Sequence, residues 1–460
     1  MAAYEDKSIL NIVDNALCCA CGICASACPV NAIRMVRNNA NFLLAYVDDK
    51  KCIGCRKCMD LCPSICGNVM DLMKSQCEKW DNGKNVIKGF LGYSYNPYIR
   101  RKGQSGGVTS SLLMYLVDNG LASGVLVNHF DKTTQQPDVF FANNHEDIIS
   151  AAGSYYIQTA TLKDIDKYGD DVAVVVTGCQ CEALMLRYKK TGKRPNLIIG
   201  LVCEGTYSLD YMHDLVDFEH TSLNITECMF RDKRTNGWPG DVYIATDNKV
   251  YRKSPSKRVE LKPCYASYRC MQCYDINNIF ADIVVGDPWC YRKDCDKAQL
   301  KKGYTVVVAR TEVGLKAILG ARDAGYIFLQ EKSAEQFLNF NSYIEGRVDK
   351  TKNIVKTCIK NGLPTIYNNC YEKVFNTNFL QMDDSKYKES SILDDIRYAY
   401  DLYNADSRST ADSLTYKKKQ RLAKKKIRDL PKNLIIGSLV KVRNVFRDVF
   451  RDVCSYITRG

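Results

Sequence analysis

The chain carries Cys18-x2-Cys21-x2-Cys24-x3-Cys28-Pro29 and, after a short insert, Cys52-x2-Cys55-x2-Cys58-x3-Cys62-Pro63. The same four-cysteine spacing occurs twice, each time closed by proline. Three thiolates two residues apart can wrap one face of a cubane iron–sulfur cluster, while the trailing cysteine reaches the other cluster. That wiring assigns Cys18, Cys21, Cys24 and Cys62 to one [4Fe–4S] centre and Cys52, Cys55, Cys58 and Cys28 to a second. A zinc site needs only paired Cys-x2-Cys units without a trailing Cys-Pro, and disulfide frameworks suit small secreted chains. The repeat therefore reads as two clusters.

With 460 residues the chain is expected to hold two to four domains and to bury a large core. It has 23 cysteines against four histidines, so its metal chemistry is thiolate chemistry. No charged-then-apolar leader precedes Cys18, and no apolar run approaches the ~20 residues of a bilayer span. Reduced cysteines without an export signal point to the cytoplasm. The formal net charge is +13, but residues 416–460 alone hold eight Lys and six Arg against three Asp. The basicity belongs to a tail, so no nucleic-acid partner is expected.

Between the cluster motifs, residues 32–36 and 42–47 flank the turn signal Asn38-Asn39 and read as two short strands. Residues 8–72 thus resemble a bacterial two-cluster ferredoxin. Cys19 and Cys66 lie outside the ligand register and read as packed thiols. From about Tyr93 apolar runs alternate with helical patterns, the mark of an α/β sheet. Gly103-Gln104-Ser105-Gly106-Gly107-Val108-Thr109-Ser110 opens a helix whose apolar face is Leu112, Leu113, Leu116 and Val117, followed by a strand over 121–127. Such a turn can be an anion cradle or simply a cap. Neither a Gly-x-Gly-x-x-Gly nor a P-loop motif occurs.

Val172–Val176 runs into Cys179 and Cys181, and Leu197–Val202 runs into Cys203. Both read as buried parallel strands that deliver cysteines at their carboxyl ends, where open α/β sheets hold ligands. Cys270-x2-Cys273 precedes a further strand over 281–287. Spacing alone leaves these later cysteines either as a third cluster or as isolated core thiols.

Eight pieces in order carry a family resemblance. They are Ser105–Val108, Gly153–Tyr156, Gly178–Gln180, Gly200–Cys203, Arg231–Lys233 with Gly237-Trp238, Cys270-x2-Cys273, Ala281–Ile283 and Gly286–Trp289. Over about 90–310 the chain resembles the coenzyme F420 hydrogenase/dehydrogenase beta-subunit family. The resemblance implies FAD and a third [4Fe–4S] cluster in that domain. Its ligands would be Cys179, Cys203, Cys270 and Cys273, with Cys181 and Cys264 as rivals. The flavin phosphates would fall at Ser105, Gly106, Gly107, Val108 and Thr109, with Gly153 and Ser154. The family often has Pro where this chain has Gly178, and Lys where it has Tyr155. The second departure bears on whether the deazaflavin coenzyme is the substrate.

The expected fold class is an α+β ferredoxin-like N-terminal domain, then an α/β flavin and iron–sulfur domain, then a helical basic C-terminal tail. The boundaries expected are 8–72, 90–330, a helical region over 331–415 and the tail over 416–460. In the tail Leu439, Val442, Phe446, Val449, Val453 and Tyr456 form an apolar stripe flanked by Lys441, Arg443, Arg447 and Arg451. It suits an anionic membrane surface at the inner face, or an acidic partner; a helix docked on its own body is the competing reading. The function expected is a flavin- and iron–sulfur-dependent oxidoreductase linking hydride chemistry to one-electron relays, with a redox protein or ferredoxin as partner. The alternatives are a non-catalytic electron-transfer subunit and an accessory redox protein of envelope polysaccharide synthesis. No catalytic acid or base can be named.

Overall fold

Strands β1 (Ile33–Arg37) and β2 (Leu43–Val47) form an antiparallel hairpin, as the Asn38-Asn39 turn requires, with Ile33 opposite Val47. The computed structural model describes residues 8–65, 68, 72, 86–216, 224–273, 275–340, 342–366 and 389–428. Cys66 lies outside them. Short helices Ile23–Ser26 and Lys57–Asp60 follow the central cysteines of each motif. The amino-terminal lobe is therefore ferredoxin-like.

The body holds β3 (Lys88–Ser94), β4 (Gly124–Asp131), β5 (Gln136–Ala142), β6 (Val172–Val176), β7 (Leu197–Leu201), β8 (Ile225–Asp232), β9 (Asp241–Thr246), β10 (Val250–Lys253), β11 (Ile283–Gly286), β12 (Thr305–Ala309) and β13 (Ile327–Lys332). Eight of these make one sheet in the order β13-β3-β12-β11-β7-β6-β4-β5. Its centre, β11-β7-β6-β4, is parallel, and antiparallel strands complete both sides. The sheet is thus mixed rather than purely parallel. Strands β8–β10 form a separate antiparallel sheet.

Alternation along each central strand supplies two cores. Val174, Val176, Ile198 and Val284 face a core shared with Ile23 and Phe42 of the amino-terminal lobe. Ala173, Ile199 and Val285 face the opposite core, built with Val108, Leu112, Leu113 and Leu116 of helix Val108–Asp118. The strand expected over 121–127 begins at Gly124, because Gly120 turns the chain at φ 62° and exposed Leu121 stays outside. It runs on to Asp131 because β5 pairs along its whole length.

The amino-terminal lobe seats at the carboxyl edge of the parallel strands. Leu162 N–H donates to Cys21 O at 2.9 Å, and Leu43 N–H donates to Gln158 Oε1 at 3.0 Å. Gly22, at φ 86°, lies so close to the body that a Cβ would sit 2.8 Å from Lys163 N. On the other side Asn39 Nδ2 donates to Ala405 O at 3.0 Å, and the Phe42 and Tyr403 rings lie 5.6 Å apart.

The C-terminal part is helical, with helices Ser342–Lys360, Glu389–Tyr403 and Arg408–Arg428. Strand β13 runs across the boundary expected at 330, and helix Arg408–Arg428 runs across that expected at 415. The described start of the basic tail is docked on the chain itself. Lys418 is buried and paired with Asp395, Lys419 pairs with Asp214, and Lys426 meets Glu260 at 3.1 Å. The stripe from Leu439 to Tyr456 lies outside the described residues.

Phe42 is fully buried between the lobe and the C-terminal helices. Phe42→Ala should cost about 3–5 kcal/mol. Thermal unfolding should register that loss as a lower midpoint, with proteolysis accelerated near Tyr403.

Candidate metal centres

The cysteines of the described residues are free thiols, and those expected to act as ligands gather around two cavities and one buried core. Cys28, Cys52, Cys55 and Cys58 line an opening together with Ile33 and Ile53. Cys55 is exposed, whereas Cys18, Cys21, Cys24 and Cys62 are all buried. Burial first, and neighbouring thiols second, push up the thiols of Cys24 and Cys62, the latter to about 12. An electron-poor iron–sulfide core removes that cost by supplying the missing positive charge.

The second cavity is lined by Cys19, Cys179, Cys203, Cys270 and Cys273, with Thr177, Thr206 and Asp275. Its residues converge because β6 and β7 are adjacent and parallel, so Cys179 and Cys203 leave the sheet at one edge. The Cys270-x2-Cys273 turn closes it, since Cys203 N–H donates to Ile276 O at 3.0 Å. Thr206 N–H donates to Cys270 Sγ at 3.5 Å. Contact with Cys19, then burial, raises the Cys179 thiol, and burial raises Cys203 and lifts Cys273 to about 12. Among the described residues no three donors converge tightly enough for a single metal ion.

Cys179 lines the cavity and Cys181 does not. Both lie on helix Gly178–Thr191, where two residues turn the side chain to the opposite face. Cys181 is instead buried near Asp275 and Asp282, and Cys264 lies near Lys419 and Asp214. Gly178 suits its place because a Cβ would meet Asp275 Oδ2 at 2.8 Å. Cys19, read from sequence as a packed thiol, comes within hydrogen-bond reach of both Cys21 and Cys179. Its only sequence signal is adjacency to Cys18.

The glycine-rich turn lies at the same carboxyl edge. Val202 N–H donates to Val285 O at 3.0 Å, so Cys203 and Asp287 leave neighbouring strands together. Ser105 Oγ donates to Asp287 Oδ1 at 2.5 Å, and Trp238 Nε1 donates to the same oxygen at 3.1 Å. Arg231 grips Asp287 with both guanidinium nitrogens, Nη2 at 3.0 Å. Lys233 Nζ donates to the carbonyls of Arg100 at 2.6 Å, Lys302 at 2.9 Å, and Ser105. Burial, with Arg231 and Arg100 nearby, presses the Lys233 pKa to about 7.

This network alters the expectation for the turn. Gly106 N–H donates to Thr305 Oγ1 at 2.8 Å, and a Cβ on Gly106 would meet Gly92 O at 2.6 Å. The close approach is to β3 and β12, and that amide is taken. Gly107, at φ 79°, caps helix Val108–Asp118. Gln104 Nε2 donates to Ser154 O at 2.6 Å, which brings Gly153 and Ser154 beside the turn. Gly153 is exposed at φ 138°, and a Cβ there would meet open space. Tyr155 packs toward Phe130 with ring centroids 6.4 Å apart, so its position offers no cation.

Residues 17–66 match the 4Fe-4S dicluster domain. That match and the cysteine geometry define an iron–sulfur electron-transfer protein of the oxidoreductase class. Residues 90–165 match the N-terminal profile, and 169–335 the C-terminal profile, of the coenzyme F420 hydrogenase/dehydrogenase beta subunit. Together these two cover just over half of the sequence, and the chain belongs to the coenzyme F420 hydrogenase/dehydrogenase beta-subunit family.

Its relatives include a subunit of the F(420)H(2) dehydrogenase of Methanosarcina mazei, 26% identical over 328 residues, spanning 68% of this chain and 85% of that protein. The coenzyme F420-dependent sulfite reductase of Methanocaldococcus jannaschii is 26% identical over 340 residues, 68% of this chain but 47% of the reductase. The beta subunit of the F420-dependent formate dehydrogenase 1 of Methanococcus maripaludis is 33% identical over 241 residues, 50% of this chain and 58% of that protein. A chain of the F420-reducing [NiFe] hydrogenase complex from Methanosarcina barkeri aligns at 19% identity and TM-score 0.45, over 59% of this chain and 91% of that one. No helix among the described residues is long and apolar enough to cross a membrane.

Burial alone would raise the Asp287 carboxyl, but Arg231, Ser105 and Trp238 hold it below the usual carboxylate range. Its stabilising contribution is complete above the unfolded pKa of about 3.9 and is lost as pH falls through the folded value. Asp287→Asn leaves Arg231 buried without its counter-charge and should cost about 3–5 kcal/mol at neutral pH. Unfolding curves at several pH values should also show a shallower acid loss below about pH 4 in the variant.

Proposed function

We propose that this chain is a flavin- and iron–sulfur-dependent oxidoreductase that links a two-electron hydride partner to one-electron carriers. The observation that carries the reading is the cavity in which Cys179, Cys203, Cys270 and Cys273 meet, against the buried cysteines of the ferredoxin-like lobe. In this reading those four residues hold a third [4Fe–4S] cluster. Cys18, Cys21, Cys24 and Cys62 hold the first, and Cys28, Cys52, Cys55 and Cys58 the second. FAD binds along Ser105, Gly106, Gly107, Val108 and Thr109, with Gly153 and Ser154. A bound flavin accepts hydride and releases electrons singly, and each cubane carries one.

The chain's own residues shape that chemistry. Asp287, Arg231 and Lys233 hold the Ser105 turn rigid, and Gln104 ties it to Ser154. Thr206 N–H and its hydroxyl each lie 3.5 Å from Cys270 Sγ and hold that sulfur in place. Exposed Cys55 makes the second ferredoxin site the outward-facing one, suited to a protein electron carrier. F420, which the names of several relatives carry, is the hydride partner that family membership favours. Tyr155, in place of the lysine common in the family, bears on how an anionic substrate would be met. In this reading the basic tail over 416–460 contacts an anionic membrane surface through the apolar stripe from Leu439 to Tyr456. A chain ending at Arg428 should lose binding to anionic liposomes in cosedimentation while keeping its cofactors.

Anaerobic reconstitution with iron and sulfide should yield about twelve irons per chain, and Cys203→Ser should lower that to about eight. A parent plateau near eight would remove the third cluster. Reduced deazaflavin, reduced nicotinamide and reduced ferredoxin should then be compared as donors. Failure of all three would favour a non-catalytic subunit. Thr109→Val removes a hydroxyl without touching the Asp287 network, and should weaken FAD binding about tenfold by equilibrium titration. An unchanged affinity would relocate the flavin phosphates.

A further inference from the structure

We propose that Arg269 is a shared counter-charge for the third cysteine cavity and for the site of Cys18, Cys21, Cys24 and Cys62, setting the redox potential of both and not that of the third set, Cys28, Cys52, Cys55 and Cys58. The inference rests on the three-cluster reading above. Arg269 is 2% exposed, among the largest fully buried side chains of the described residues. It precedes Cys270 on the short helix Tyr268–Met271, so it belongs to the body. Yet its Nε donates to Ser64 Oγ at 3.1 Å, and that hydroxyl donates to Leu17 O at 2.6 Å, both in the amino-terminal lobe. The guanidinium therefore spans the seam between lobe and body.

The sulfurs it influences come from both sides. Ser64 stands two residues after Cys62 and Leu17 directly before Cys18, while Arg269 directly precedes Cys270, which lines one cavity with Cys179, Cys203 and Cys273. Cys19, within reach of Cys21 and Cys179, shows independently that the two sites abut. The outward site differs. Cys55 is exposed, and the opening it lines with Cys28, Cys52 and Cys58 is reached by solvent and does not include Arg269.

Reduction adds one negative charge to a cluster, and its potential follows net charge, hydrogen bonding and exposure. A guanidinium stays charged at all working pH values, and at a buried seam its field is weakly screened. It therefore stabilises the reduced form of each adjoining site and raises both potentials. Solvent screens the same charge from the outward site.

The test is a redox titration, followed by electron paramagnetic resonance, of the full chain reconstituted with iron and sulfide. Arg269→Gln and Arg269→Met remove the charge, and Arg269→Lys keeps it. The uncharged variants should stay iron-replete and lower two of three midpoints. The expected size is about tenfold in the reduced-to-oxidised ratio at fixed potential, about 59 mV for a one-electron couple. The third midpoint should match the parent, and Arg269→Lys should match it throughout. Three unmoved midpoints in an iron-replete uncharged variant would overturn the proposal, as would an equal shift of all three. Loss of iron from both uncharged variants, with Arg269→Lys replete, would also overturn it by making the charge a requirement of assembly. A parent chain with about eight irons would instead defeat the three-cluster reading on which the proposal stands.

Discussion

The seam between the ferredoxin-like lobe and the carboxyl edge of the sheet is the constraint on which the rest depends. Thiols from both sides are buried there within reach of one another, and burial pushes several of them up in pKa. Such crowding is costly for thiolates unless positive charge accompanies them. Arg269, buried across the same seam, is one such charge. The lobe cannot move far without breaking this arrangement. Leu162 and Leu43 bond it to the body, and Gly22 lets the two backbones meet.

Around that seam the sheet acts as a positioning device. Four parallel central strands send their carboxyl ends to one edge, so Cys179, Cys203 and Asp287 emerge side by side. Asp287 then fixes the Ser105 turn through a network of Arg231, Trp238 and Lys233. The turn is thus held by a buried carboxylate at a fixed place relative to the cysteine cavity. The antiparallel strands on either side widen the sheet and give helices Val108–Asp118 and Glu312–Asp323 a face to cover.

The C-terminal helices make the lobe–body contact three-sided. Tyr403 packs on Phe42, and Asn39 bonds the chain just beyond it. Arg408 reaches Asp210 at 2.5 Å, and the following lysines pair with Asp395, Asp214 and Glu260. A segment that looks like surplus positive charge is therefore partly neutralised by acids of the chain's own body. Net charge along a sequence does not reveal which cations face solvent.

The sequence alone determined what is local and periodic. Two Cys-x2-Cys-x2-Cys-x3-Cys-Pro motifs with a short hairpin between them specify a ferredoxin-like lobe, because cluster ligation depends on spacing within a dozen residues. The apolar runs at 172–176 and 197–202 specified buried parallel strands, because an unbroken apolar run is itself a local signal. The family followed from an ordered set of short motifs. Tertiary structure decided what depends on contacts between distant segments. It separated Cys179 from Cys181, brought Cys19 into the cavity, and set Arg269 across the seam to Ser64, 205 positions away. It also turned Gly106 toward β3 and β12 and Gly107 toward Ile99 and Arg100. Those relations arise from how strand ends and lobes pack, and packing across long sequence separations leaves no periodic trace in the chain.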